Sequence, residues 1–230
     1  MTGMKYTKLA AALSLGMLST YASAAGFQLL EQNVSGLGNA YAGSAAVAEN
    51  ASTIFFNPAG MTQLKDREFS AGVAAIGPSF KFSNNGSSAG AFTTAGNGGD
   101  AGSLAAVPNA YMSWALNKDL YVGVGISAPF GLKTEYSSPW IGSAQSNSFS
   151  VETMNINPSI AYRVSDTVSL GAGVSWQHID AKYKRLAGAV DIPVPSIPIT
   201  FPQALTTVST VTATLKGDAW GWNVGGLFTV

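Results

Sequence analysis

Thr167-Val168-Ser169-Leu170-Gly171-Ala172-Gly173-Val174-Ser175-Trp176-Gln177 decides the fold. In an extended chain Val168, Leu170, Ala172, Val174 and Trp176 fall on one side, and Ser169, Gly171, Gly173, Ser175 and Gln177 on the other. Working outward, the same period of two recurs. Val151 to Val164 sets Met154, Ile156, Pro158, Ile160, Tyr162 and Val164 against Thr153, Asn155, Asn157, Ser159, Ala161 and Arg163. Val122, Val124, Ile126 and Ala128 alternate with Tyr121, Gly123, Gly125 and Ser127. Trp220, Trp222, Val224, Gly226, Phe228 and Val230 alternate with Ala219, Gly221, Asn223, Gly225, Leu227 and Thr229. Glu68 to Phe82 and Val107 to Leu116 complete a set of six strands.

The connections choose between a soluble sandwich and a membrane barrel. Asn117-Lys118-Asp119 and Ser165-Asp166 are tight polar turns, whereas Ser83 to Leu104, Leu132 to Ser150 and Lys184 to Thr207 are long links. Short turns alternating with long loops are the mark of outer-membrane barrels. Tyr111, Tyr121, Tyr162, Trp176, Tyr183, Trp220 and Trp222 lie near strand ends, where an interfacial girdle needs them. The fold class is therefore all-β, a transmembrane antiparallel β-barrel. Six strands are too few to close around a plug, since about eight already fill their interior with side chains. The barrel is expected to be incomplete in this chain, with further strands beyond Val230.

Composition narrows the function. Only 10% of residues are charged and the formal net charge is zero, which excludes the basic face that nucleic acid requires. There is no cysteine, so neither a disulfide framework nor a thiolate metal site is expected. No Asp/Glu cluster has calcium-loop spacing, and no metal or cofactor is implied. The chain has no G-x-S-x-G, and its one histidine, His178, follows Trp176 toward the upper interface, so no catalytic residues and no enzyme are expected. Lys5 and Lys8, the apolar run Leu9 to Leu18, and Ala22-Ser23-Ala24 read as a cleavable export signal over residues 1–24.

Residues 25–66 belong neither to the signal nor to the strands. This Gly- and Ala-rich, almost uncharged stretch ends in Asn57-Pro58-Ala59-Gly60 and reads as a hatch inside the lumen, with 67–230 forming the first six strands. Gly36 and Gly38 lack a preceding strand and the G-x-G-x-x-G spacing, which rules out a dinucleotide loop.

These segments, AGFQL at Ala25, SGLGNAYAG at Ser35, ENAST with the following NPAG, VETMNINPSIAYRVSD, AKYKRLAG and LKGDAWGWNVGGLF, resemble the FadL family across the whole mature chain. The resemblance implies an outer-membrane transporter of long-chain fatty acids or aromatic hydrocarbons in a Gram-negative bacterium. It implies a monomeric barrel of about fourteen strands closed by a hatch, surrounded by outer-membrane lipid and lipopolysaccharide. It places a ligand-facing aromatic at Phe27, a carboxylate-facing arginine at Arg185, and the hatch motif at Asn57, Pro58 and Ala59. A lateral exit would open at a kink in the third strand, at Gly131 with Pro129 close by. Proline cannot donate to the ladder and glycine permits a bulge, so both residue types suit a break in a wall. An apolar pocket suits such cargo, because each exposed methylene costs about 0.8 kcal/mol in water. The competing reading is a structural or adhesive barrel whose loops bind host or phage.

Overall fold

The computed structural model describes residues 28–89, 92–187 and 208–229. The expected export signal over 1–24, Phe27 and the proline-rich stretch 192–199 lie outside the described residues. Among the described residues, seven strands form one antiparallel sheet: β1 (Arg67–Ile76), β2 (Ala105–Ala115), β3 (Leu120–Ser127), β4 (Gly131–Glu135), β5 (Ser148–Ser165), β6 (Val168–Ala187) and β7 (Ser209–Phe228). Their order is β1-β2-β3-β5-β6-β7, with β4 also paired to β5. The sheet is curved but not closed; β1 and β7 are its two edges.

Four boundaries depart from the sequence reading. The first strand stops at Ile76 rather than Phe82, because Gly77-Pro78 follows and proline cannot donate to the ladder. The third strand is split into β3 and β4, so part of the expected Leu132–Ser150 loop is strand. The fifth runs on to Ala187, past the Lys184 at which the long link was expected to begin, and the last begins at Ser209, well ahead of Trp220. Those two extensions pair with each other from Gln177↔Ala219 to Ala187↔Ser209. Mutual pairing extends the hairpin where hydrophobic alternation has faded.

The alternation sorts the two faces as a membrane barrel requires. Phe69, Val73, Ile126, Ile160, Leu170, Val174, Trp222 and Val224 project from the convex face and stay exposed. Asn109, Ser113, Ser127, Thr153, Asn155, Asn157, Ser159 and Ser169 face the concave side and are buried. The expected girdle is only partly correct. Tyr162, Trp220 and Trp222 are exposed on the convex face, but Tyr111 and Tyr121 share the parity of the inner residues and are buried there. Tyr183 shares that inner parity, and its hydroxyl donates to Gln145 O. Proximity to a strand end does not say which face a ring occupies; register does.

Residues 28–66 pack against the concave face. They contain a 3-10 turn (Leu37–Asn39), a single helical turn α1 (Thr53–Phe56) and a second 3-10 segment (Pro58–Gln63). Ala51, Ile54, Met61 and Leu64 form one core cluster with Tyr111, Tyr121 and Ala161 of the wall. Small residues in the wall let this segment approach. A Cβ on Gly171 would strike the backbone of Pro58 and Ala59, and one on Gly123 would lie 2.6 Å from Ile54 Cδ1.

Outside the barrel, the second half of the Gly/Ser/Ala-rich connection between β1 and β2 is packed. Phe92 and Ala101 are buried, and Trp140 of the next loop stacks on Tyr136 at 4.0 Å and meets Phe82 edge-on at 5.3 Å. Asp100 accepts from Ser79 Oγ at 2.6 Å and from the N–H groups of Phe80 and Gly102, each at 2.9 Å. These bonds hold its carboxyl down at about 2, the Ser79 hydroxyl contributing most.

Candidate functional site: a plugged break in the wall

The wall is interrupted between β3 and β4. Ser127 pairs with Asn155 and Gly131 with Glu152, so Ala128-Pro129-Phe130 stands opposite the shorter Thr153-Met154. That is a bulge, and Pro129 brings no N–H to repair it. Thr153 takes over part of the ladder: its Oγ1 accepts from Phe130 N at 2.9 Å and donates to Phe130 O at 2.8 Å. On the other side, β2 pairs with β3 only as far as Ala110↔Ile126. Ala105 to Asn109 therefore face the break without a strand partner on that side among the described residues. Gly131 sits where pairing resumes, and Pro129 lies in the break itself.

The start of the described chain fills this opening. Gln28 bridges to Phe130 as an isolated antiparallel pair, and Leu29 N donates to Pro129 O at 2.9 Å. Gln32, almost wholly buried, donates from Nε2 to Leu29 O at 2.9 Å and to Ala128 O at 3.2 Å. Tyr111 of β2 donates to Gln32 O at 2.7 Å. Residues 28–32 thus bond the carbonyls of Ala128 and Pro129 that the interrupted ladder leaves open. A Cβ on Gly131 would lie 3.1 Å from Leu29 Cδ1, so that glycine leaves room for the same segment.

Asn57, Pro58 and Ala59 anchor the other end. The Asn57 amide donates to Ala45 O at 2.8 Å and to Gly226 O of β7 at 3.1 Å, while its Oδ1 accepts from Ala59 N at 3.1 Å. It is the N-cap of the Pro58–Gln63 segment, with proline at the first position. Thr62 Oγ1 lies 2.7 Å from Ser169 Oγ, and Arg163 donates to Thr62 O. Within residues 28–66, Tyr41 donates to Asn33 O at 2.7 Å; burial pushes the Tyr41 hydroxyl up, partly offset by that bond.

A cleft of about 190 Å³ opens on the inner side of the break, lined by Phe55, Pro129, Asn155, Asn157, Ser175, Gln177 and Asn223. Its lining mixes Phe55 and Pro129 with the side-chain amides of β5, β6 and β7. Arg185 follows the inner parity of β6, is exposed, and pairs with Val211 across the hairpin. Lys182 and Lys184 take the opposite parity and point away from the lumen side. Among the described residues no group of His, Cys, Asp and Glu could hold a metal ion.

The structure brings Pro129, Gly131 and residues 28–32 together, and joins Asn57-Pro58-Ala59 to β6 and β7. It leaves Arg185 far from both. Sequence reasoning missed Gln32, Thr153, Arg163 and the asparagines of β5. The asparagines carried a legible signal: two successive amides, Asn155 and Asn157, between Thr153 and Ser159 on the inner face of β5.

The description "Outer membrane protein transport protein (OMPP1/FadL/TodX)" belongs to the family model that matches residues 15–230. The "Long-chain fatty acid transport protein" of Salmonella typhi is 35% identical over 230 residues, covering 97% of this chain and 51% of its own length. That of Escherichia coli O6:H1 is 32% identical over 231 residues, with the same coverage. The "47 kDa outer membrane protein" of Pasteurella multocida is 36% identical over 224 residues, covering 96% of this chain and 50% of its own. In fold, the chain is similar to a Pseudomonas aeruginosa FadL homologue at a TM-score of 0.67 and 24% identity, covering 90% of this chain and 50% of that one. The chain spans about half the length of the curated relatives it matches. The family is one of outer-membrane transport proteins rather than enzymes. With a matching model over nearly its whole length and an antiparallel sheet that follows a solved homologue, the chain belongs to the outer membrane protein transport protein (OMPP1/FadL/TodX) family.

Proposed function

We propose that the protein carries long-chain fatty acids across the outer membrane, and that the break between β3 and β4 is its side exit into lipid. The observation that carries this reading is the bond from Leu29 N to Pro129 O, with Gln28 bridged to Phe130. A wall interrupted by proline and sealed by a detachable segment, rather than by a neighbouring strand, opens without unfolding the barrel. A tail of about sixteen carbons stays out of water only if it leaves sideways, since its exposure costs on the order of 10 kcal/mol. Arg185, on the inner parity near the outer end of β6, is the residue for first contact with a carboxylate, because a guanidinium pairs with one through two parallel bonds. Phe27 would line the ligand beside Gln28. Asn57, Pro58 and Ala59 hold the hatch in place while residues 28–32 move. An adhesive barrel needs no such plug in its wall.

The test is uptake of labelled palmitate by cells carrying the full-length protein, with and without residues 26–58. Saturable uptake should disappear and leakage of small polar solutes should rise. Unaltered palmitate uptake by a normally inserted deletion protein would sink the reading.

A further inference from the structure

The geometry points to a neutral amide cradle in the inner wall, formed by Asn155, Gln177 and Asn223, that holds the polar head of an amphipathic ligand beside the break. This inference rests on the transport reading above and adds a head-group site to it.

The cradle arises from a defect in the sheet. Pro158 stands in the middle of β5, flanked on both sides by strands, where proline is seldom found. The β5–β6 ladder keeps one register from Ile156↔Trp176 to Ser159↔Gly173 but skips Asn157 and Pro158. Asn157 supplies the missing donor: its side-chain amide donates to Val174 O at 3.1 Å. The same amide lies 2.9 Å from Ser175 Oγ and 3.3 Å from Asn223 Oδ1, while Ser159 donates to Asn157 Oδ1 at 2.9 Å. Gly173 makes room for this junction, since a Cβ there would lie 2.5 Å from both Asn223 Oδ1 and Ser159 Oγ. Asn157 is thereby committed at both ends of its amide, and it positions the rest.

Its neighbours are not committed. Asn155 and Gln177 are cross-strand partners on the concave face, and neither side-chain amide has a hydrogen-bond partner among the described residues. The NH2 of Asn223 is likewise unused, its oxygen being the acceptor for Asn157. All three line the 190 Å³ cleft, whose other walls include Phe55 and Pro129. Asn155 is buried, Gln177 and Asn223 are half-buried, and their unused amide groups border the cleft. Here the unused groups converge on one cleft that holds no Asp or Glu to repel an anion.

A carboxylate fits this set. It accepts from two or three N–H groups, and the first methylenes of its tail reach Phe55 and Pro129, which points the tail into the break. Neutral donors hold an anion less tightly than a guanidinium does, so the head is retained without being trapped. The continuous strand separates Gln177 from Arg185 by roughly 26 Å at about 3.3 Å per residue, which makes the cradle a second station and not part of an arginine site.

Titration of the purified full-length protein with palmitate, hexadecylamine and hexadecane tests the cradle, with heat-modifiable gel mobility confirming the fold of each variant. Asn155→Leu and Gln177→Leu should each raise the Kd for palmitate about tenfold and lower the preference for palmitate over hexadecane by the same factor. Asn155→Asp should repel palmitate and gain hexadecylamine binding, a gain that an unfolded protein cannot produce. Unchanged palmitate affinity in both leucine variants overturns the cradle and leaves the transport reading standing. Wild-type binding of hexadecane without palmitate overturns both the cradle and the fatty-acid cargo. Binding of none of the three probes overturns both.

Discussion

Leu29 donates its backbone N–H to the carbonyl of Pro129 at 2.9 Å, so the hatch forms a rung of the barrel wall. The strand that should occupy that rung is broken, and the residue that breaks it has no N–H of its own. Plug and wall are one hydrogen-bonded unit at this point, and any movement of residues 28–32 changes the wall.

Gly131→Val tests that unit. The glycine is extended, so the substitution does not act through backbone strain; its new side chain meets Leu29, whose Cδ1 would lie 3.1 Å from the Cβ alone. Palmitate uptake by the full-length variant should fall several-fold at normal outer-membrane levels. Adding Leu29→Ala should restore it, because the second change removes the atoms in the way. No recovery in the double variant argues that Gly131 acts otherwise.

Gly171 and Gly221 face the same lumen with different neighbours. A Cβ on Gly171 strikes the backbone of Pro58 and Ala59, whereas one on Gly221 comes no closer than 4.0 Å to Ser175. Gly171→Ala should destabilise the hatch–wall contact by about 1–3 kcal/mol, the range for overpacking, and raise leakage of polar solutes. Gly221→Ala should change neither. Denaturant unfolding of the two proteins side by side decides it.

Arg185→Ala should weaken palmitate binding about tenfold while sparing hexadecane, which has no charge to pair. Because Arg185 and Asn155 serve separate stations, each single variant should weaken one palmitate site and leave the other, and the double variant should weaken both. Equal losses for palmitate and hexadecane in Arg185→Ala remove the carboxylate role.

Asp100 makes the outer loop sensitive to acid. Its carboxyl is held down at about 2 from an ordinary 3.8, chiefly by Ser79. The folded form thus favours the carboxylate, so its contribution is fully present above the ordinary value and fades as pH falls toward 2. Exchange of the Phe80 and Gly102 amides, both bonded to Asp100, should be slow at pH 5. After correction for intrinsic rates it should quicken between pH 4 and about 2. Asp100→Asn should show the faster exchange at every pH.

The sequence by itself determined the class of this fold. Alternation in Thr167 to Gln177 and its counterparts is a local property, and it was sufficient to set an apolar convex face against a polar concave one. The turns at Asn117-Lys118-Asp119 and Ser165-Asp166 were equally local. Asn57-Pro58-Ala59 was legible because capping and turn chemistry are written in adjacent residues. What tertiary structure decided was every feature that depends on a partner distant in the chain. Tyr111 and Tyr121 turned inward because strand register, not nearness to a strand end, assigns a face. The first halves of the β6–β7 hairpin extension formed because Lys182 to Ala187 and Ser209 to Thr214 found each other. The role of Leu29 depends on Pro129, and that of Asn157 on Pro158 and Val174; proline removes a donor, and only the folded sheet reveals which carbonyl is left waiting and which side chain reaches it.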